Sequence, residues 1–149
     1  MKSPLHIQSG FSLPELMLVV VIVGILASIG TSSFRSLIES QQVKNASFEL
    51  FSNLSLARSE AIKRNSNVTI TVDGSGWVIT SASGETIRTQ GALKGVVITS
   101  AATGVTFTRS GRPTASPTFQ IDSSTTTTGN VRCISMELSG MPRTKKGVC

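Results

Sequence analysis

The sequence predicts an α+β protein: one long N-terminal helix, transmembrane in its first half, followed by a domain of short β-strands. Three observations predict it. The run from Leu16 to Ile29 is almost wholly apolar. Helical periodicity continues beyond it, with no Pro or Gly between Thr31 and Arg64. Past Asn65 the period changes to two, and clusters of Gly, Pro and Ser punctuate the chain. With 149 residues, a single domain beyond the anchor is expected.

The first element is the anchor. Phe11 to Ile29 is 19 residues, or about 28 Å of helix at ~1.5 Å per residue, enough for a bilayer core. A secretory signal would carry a basic start and small residues after the apolar core. Here the leader holds only Lys2 and His6, and Ser28-Ile29-Gly30 is a poor cleavage match. Retention of the helix is therefore favoured, with Lys2 on the cytoplasmic side. Directly ahead stands Gly10-Phe11-Ser12-Leu13-Pro14-Glu15. A carboxylate at the lip of a membrane-length segment costs about 2.5–3.5 kcal/mol near a bilayer centre and marks function. The plainer alternative is local: Ser12-x-x-Glu15 reads as a capping box, with Pro14 tolerated in the first turn.

The helix continues as an amphipathic element. Leu50, Phe51, Leu54, Ala57 and Ala61 form one apolar stripe, and Phe34, Leu37 and Ile38 repeat it one stretch earlier. The helix is expected from about Ser12 to Arg64. Lys63 and Arg64 suit its C-terminal dipole, and Asn65 can end it. Val68–Val72 then alternates, Asp73-Gly74-Ser75-Gly76 turns, and Trp77–Thr80 returns. Further strands are expected at Thr86–Thr89, Val96–Ser100, Val105–Thr108, Thr118–Ile121 and Val131–Leu138. The tract Ser123 to Thr128 reads as an exposed loop.

Charge and cysteine usage narrow the class. Aromatic residues are 5%, with no Tyr, and charged residues 15%, as in a secreted β-rich domain rather than a cytosolic enzyme. Residues 1–87 hold six Lys/Arg against six Asp/Glu, and residues 88–149 hold eight against two. The whole net charge of +6 thus belongs to the C-terminal part, which points to an anionic partner or to a merely soluble basic face. Outside the cytoplasm an even pair of cysteines usually closes, so Cys133 and Cys149 are expected to be bonded rather than free. The bridge would fasten the basic tail Arg143-Thr144-Lys145-Lys146 beside Arg132.

These residues carry a family resemblance. Gly10-Phe11-Ser12-Leu13-x-Glu15-Leu16-Met17 ahead of an apolar run resembles the class III leader of type IV prepilins and type II secretion pseudopilins. Leu56-Ala57-Arg58-Ser59-Glu60-Ala61-Ile62-Lys63-Arg64, Gly76-Trp77, and Phe107-Thr108-Arg109-Ser110-Gly111-Arg112-Pro113 resemble GspH-type pseudopilins and FimT/FimU-type minor pilins. The resemblance covers Gly10 to Cys149. It implies a helix packed on a small antiparallel β-sandwich-like domain. It further implies cleavage after Gly10 by a prepilin peptidase, N-methylation of Phe11, and pairing of Glu15 with a neighbouring subunit's N-terminal amine. The implied segments are a removed leader at 1–10, a transmembrane and assembly helix at 11–30, its amphipathic continuation at 31–64, and a periplasmic β domain at 65–149. The protein is expected to cross the inner membrane once and to assemble with other minor and major pilins or pseudopilins. One departure is Ser32, where family members commonly carry proline. A proline there would kink the helix, so its absence strengthens continuity.

No catalytic constellation, metal-ligand cluster or cofactor motif is legible. The one histidine lies in the leader, and the acids are scattered. Gly111-Arg112-Pro113 reads as a turn before it reads as an anion site, and Trp77 as a core residue before a stacking platform. FimT-type pilins that take up DNA carry a Gly-Arg-x-Arg element where this chain has Gly140-Met141-Pro142-Arg143. Only Arg143 carries over. Lys145, Lys146 and Arg132 could supply the remaining charge, since phosphate contacts need charge more than geometry. The resemblance implies a minor pilin of the FimT/FimU type that helps to initiate or cap a type IV pilus, toward which Pro14 and the disulfide-closed basic tail lean, with a GspH-type pseudopilin of a type II secretion system as the alternative. A distinct class, which can coexist with the first, is a binding module for double-stranded DNA.

Overall fold

A computed structural model describes residues 11–100, 102–125 and 130–149, with the side chains of 29–33 outside the description. The leader with Gly10 and the residues 126–129 of the expected threonine-rich loop lie outside it as well. The order is α1 (Leu13–Lys63), β1 (Val68–Asp73), β2 (Gly76–Ser81), β3 (Thr86–Gln90), β4 (Val96–Ser100), β5 (Gly104–Phe107), β6 (Thr118–Ser123), β7 (Arg132–Met136) and β8 (Pro142–Lys146). The chain divides into two compact units, Met1–Arg35 and Ser36–Cys149.

In the first unit the Glu15 and Leu16 amides donate to the Ser12 carbonyl at 3.0 and 3.1 Å, opening the helix. Every described side chain from Phe11 to Ser28 is exposed, including Leu16, Val20 and Ile25. Among the described residues no helix is long and apolar enough to cross a membrane. The predicted span closes at Ile29, whose side chain lies outside the description.

In the second unit the rest of α1 lies on two antiparallel four-stranded sheets, ordered β3-β2-β1-β5 and β4-β6-β7-β8. The later part of the expected stripe is the buried face: Leu50, Leu54, Ala57 and Ala61 are all fully buried, with Val43 and Ala46 extending it and Phe51 partly buried, whereas Phe34, Leu37 and Ile38 of the expected earlier repeat are exposed. They share one core with Val68, Ile70, Ile79, Phe107, Phe119, Ile121 and Ile134. Trp77 is 1% exposed and belongs to that core. Fully burying a large apolar side chain is worth about 1.5–3 kcal/mol, so this stripe is what holds helix to sheet. Helix α1 ends in a left-handed cap: Asn65 has φ 49°, its amide donates to Ile62, and the Ser66 amide reaches the Ala61 carbonyl. Beside this end Arg64 binds both Glu60 (2.7 Å) and Glu85 (2.6 Å), tying the helix to the residue that precedes β3. The Arg64 hydrogen bond holds the Glu60 carboxyl below its ordinary pKa.

Two strand expectations change. The last predicted strand shortens to Arg132–Met136, and the basic C-terminal tail, for which no strand is expected, is the strand β8. Its sequence Pro-Arg-Thr-Lys-Lys lacks apolar alternation because it is an edge strand, paired only with β7 and with just Pro142 buried. Charged residues and proline are the composition that keeps such an edge from pairing further.

Candidate functional site

Two places in the described structure gather the residues singled out by sequence. The first is the helix start. Glu15 lies in the first turn of α1, and its side chain is exposed among exposed apolar neighbours. Phe11, 79% exposed, precedes the helix. A carboxylate in an apolar surface has no counter-charge of its own in this turn. In a packed fibre or a bilayer it therefore needs a cation from elsewhere.

The second place is the seam between α1 and β8. Cys133 and Cys149 are bonded, with their Cα atoms 5.1 Å apart. The bridge ties the chain end beyond β8 back to β7. The register of the pair decides where the cations point. Arg132 stands opposite Lys146, Cys133 opposite Lys145, and Ser135 opposite Arg143. The Glu137 amide donates to the Met141 carbonyl and the Gly147 amide to the Val131 carbonyl. Alternation of antiparallel pairs then makes Arg132 and Lys146 a non-hydrogen-bonded pair, with side chains on one face. Arg143 and Lys145 fall on the other face. The four cations that sequence grouped in a single patch are thus divided two and two by the pleat.

The two pairs have different surroundings. Arg143 makes an ion pair with Glu137 at 2.5 Å, both partners largely open to solvent, which contributes only about 0–1 kcal/mol. Among the described residues neither Arg132 nor Lys146 is in an ion pair. They line a pocket of about 100 Å³ with Ser40 and Val43 of α1 and with Asn130. Arg132 also borders a larger cleft of about 630 Å³, floored by Phe48, Phe51 and Pro142 and edged by Lys44 and Arg143.

Sequence reasoning missed Arg58. It is the point where the helix segment 56–64 meets the turns at Gly111 and Gly140. Its Nη1 donates to the Met141 sulfur at 2.8 Å. Gly111 and Gly140 both have positive φ, 74° and 83°, and both approach its Nε. An added Cβ on Gly140 would collide with the Gly111 carbonyl oxygen and stand 3.1 Å from Arg58 Nε. Met141 therefore lies against a guanidinium supplied by the helix. The turn falls one step earlier than expected, over residues 108–111: the Gly111 amide donates to the Thr108 carbonyl at 2.7 Å, while Arg112 and Pro113 follow it and Pro113 forms an antiparallel bridge with Phe107. Among the described residues no group of three or more His, Cys, Asp or Glu could hold a metal ion.

Comparison with known proteins gives the following. Residues 46–140 match the family model described as type II transport protein GspH. Residues 5–31 match the prokaryotic N-terminal methylation motif. Two crystal structures of the type IV minor pilin FimU from Pseudomonas aeruginosa (strain PAO1) are similar. The one in space group P21 is 24% identical, with a TM-score of 0.59 over 72% of this chain and 90% of that one. The one in space group P65 is 25% identical, with a TM-score of 0.58 over 68% and 91%. No curated protein matches the chain.

Proposed function

The chain belongs to the GspH family, and from that premise we propose that it is a minor pilin of a type IV pilus, a structural subunit rather than an enzyme. Its methylation motif and pilin fold make it a pilin-like subunit, processed by a prepilin peptidase and assembled with other pilins. In our reading the peptidase cuts after Gly10 and methylates Phe11. The apolar helix anchors the subunit in the inner membrane with its C-terminal domain in the periplasm, then packs among neighbouring helices in the fibre. Glu15 pairs there with a neighbour's N-terminal amine. The observation that carries the pilus reading is that both similar structures are FimU minor pilins, matched over at least nine-tenths of their length.

The second reading is a minor pseudopilin of a type II secretion system, and the description of the family model supports it. A deletion strain separates the two. On the first reading it loses surface fibres while its secreted enzymes stay at the parental level. Normal fibres with an emptied secretome would replace the pilus reading with the pseudopilus one.

We extend the proposal to weak, sequence-independent contact with double-stranded DNA. The whole net positive charge lies after residue 87, and four of those bases sit on β7 and β8. Contact with about three phosphates would give a log–log salt slope near −2.7.

A further inference from the structure

We propose that the pocket formed by Ser40, Asn130, Arg132 and Lys146 binds a phosphodiester of a DNA backbone, which then runs along the seam between α1 and β8. The proposal rests on the DNA reading for the source of the phosphate. It does not rest on it for the chemistry of the pocket.

The first ground is the Arg132–Lys146 pair. Residues directly opposite in a non-hydrogen-bonded pair have Cα atoms about 4.5 Å apart, the closest cross-strand approach. Like charges placed there destabilise the sheet. An oxyanion between them converts that repulsion into two attractions. Second, nothing in the described structure neutralises them. None of the ion pairs includes either residue. The adjoining residues 126–129 are Thr-Thr-Thr-Gly and carry no acid. Glu39, beside Ser40 in sequence, accepts a hydrogen bond from Thr125 at 2.7 Å.

Third, size and lining fit. About 100 Å³ equals roughly three waters at ~30 Å³ each, room for a tetrahedral oxyanion. The Ser40 hydroxyl and Asn130 amide add neutral donors of the kind that position phosphates. Fourth, the frame is held before any ligand arrives. The disulfide starts at the neighbour of Arg132 and ends three residues after Lys146, so little ordering remains to oppose binding.

The extended layout selects DNA over an isolated headgroup. Arg132 borders both the small pocket, with Lys146, and the larger cleft, which Lys44 also lines. Cations in succession along one seam suit a linear polyanion. A single lipid phosphate would use only the pocket.

The test uses the mature full chain in neutral maltoside micelles, with a labelled duplex read by anisotropy across a salt series. Two double variants remove equal charge: Arg132→Gln with Lys146→Gln in the pocket, and Arg88→Gln with Lys94→Gln, both exposed and away from β7 and β8, outside it. The pocket variant should bind at least about tenfold more weakly, with its log–log slope flattened by about 0.9, the value of one phosphate. The outside variant should keep the parental slope, and Arg132→Lys should keep it too. An intact disulfide by mass and an unchanged melting temperature show that the variants fold. Equal loss in both doubles, or parental binding by the pocket variant, overturns the pocket. If the parent binds no duplex at low salt, the DNA reading falls by itself. Inorganic phosphate then decides the pocket: amide shifts at Ser40, Arg132 and Lys146 that vanish in the pocket variant retain a phosphate site, and flotation with phosphatidylglycerol vesicles tests a lipid source. No such shifts overturn it.

Discussion

Gly140 joins three distant segments, because its missing side chain is what lets the β7–β8 turn rest on the Gly111 turn and on Arg58. Gly84 makes the appropriate control. Its φ of 84° matches the 83° of Gly140, but an added Cβ there would meet nothing within 4 Å. Alanine at either position pays about 1–2 kcal/mol for the left-handed backbone. Only at Gly140 does it also strike a carbonyl that cannot rotate away. Gly140→Ala should therefore lower Tm by several degrees more than Gly84→Ala. Equal losses in thermal melts would show that the turns yield freely. Arg58 belongs to the same residue-scale account. A second arginine in place of Met141 would bring like charge against its guanidinium.

Among elements, β8 relates fold most directly to function. Only Pro142 of the strand is buried, so its place depends on the β7 ladder and on the disulfide beyond it. A loop of about this length is worth roughly 3 kcal/mol in the chain-entropy model. Reduction is expected to lower stability by about 2–4 kcal/mol and to raise hydrogen exchange at Lys145–Gly147 before the β1 and β2 core. The measurement is exchange mass spectrometry with and without reductant. Uniform loss of protection across both sheets would mean that the bridge supports the whole domain and not the edge strand. Helix α1 works oppositely: its stripe from Val43 to Ala61 is buried in the core and stays protected.

For the whole molecule, the unpartnered element is the first unit. Its described side chains from Phe11 to Ser28 are all exposed, so their cover must come from lipid or from other subunits. Glu15 is the one described charge among them. Glu15→Ala should be processed normally, since the cleavage site is intact, but be at least about tenfold depleted in sheared fibres relative to the membrane fraction. Quantitative immunoblots of both fractions check this, and equal recovery would remove the carboxylate from assembly. The buried stripe of α1 in the second unit, seven of the eight strands and the closing of the cysteine pair were legible in the sequence. Each is a local regularity: a period of 3.6 or 2, or a compartment rule for thiols. Strand β8 was not legible, because an edge strand of charged residues has no apolar alternation to read. The convergence of Arg58 with Gly111 and Gly140 was not legible either, since those residues lie far apart in the chain. Above all, sequence put Arg132, Arg143, Lys145 and Lys146 together by proximity, and only the tertiary structure decided which of them share a face. The reason is the pleat: side chains alternate residue by residue, and cross-strand register is set by pairing that no single segment contains.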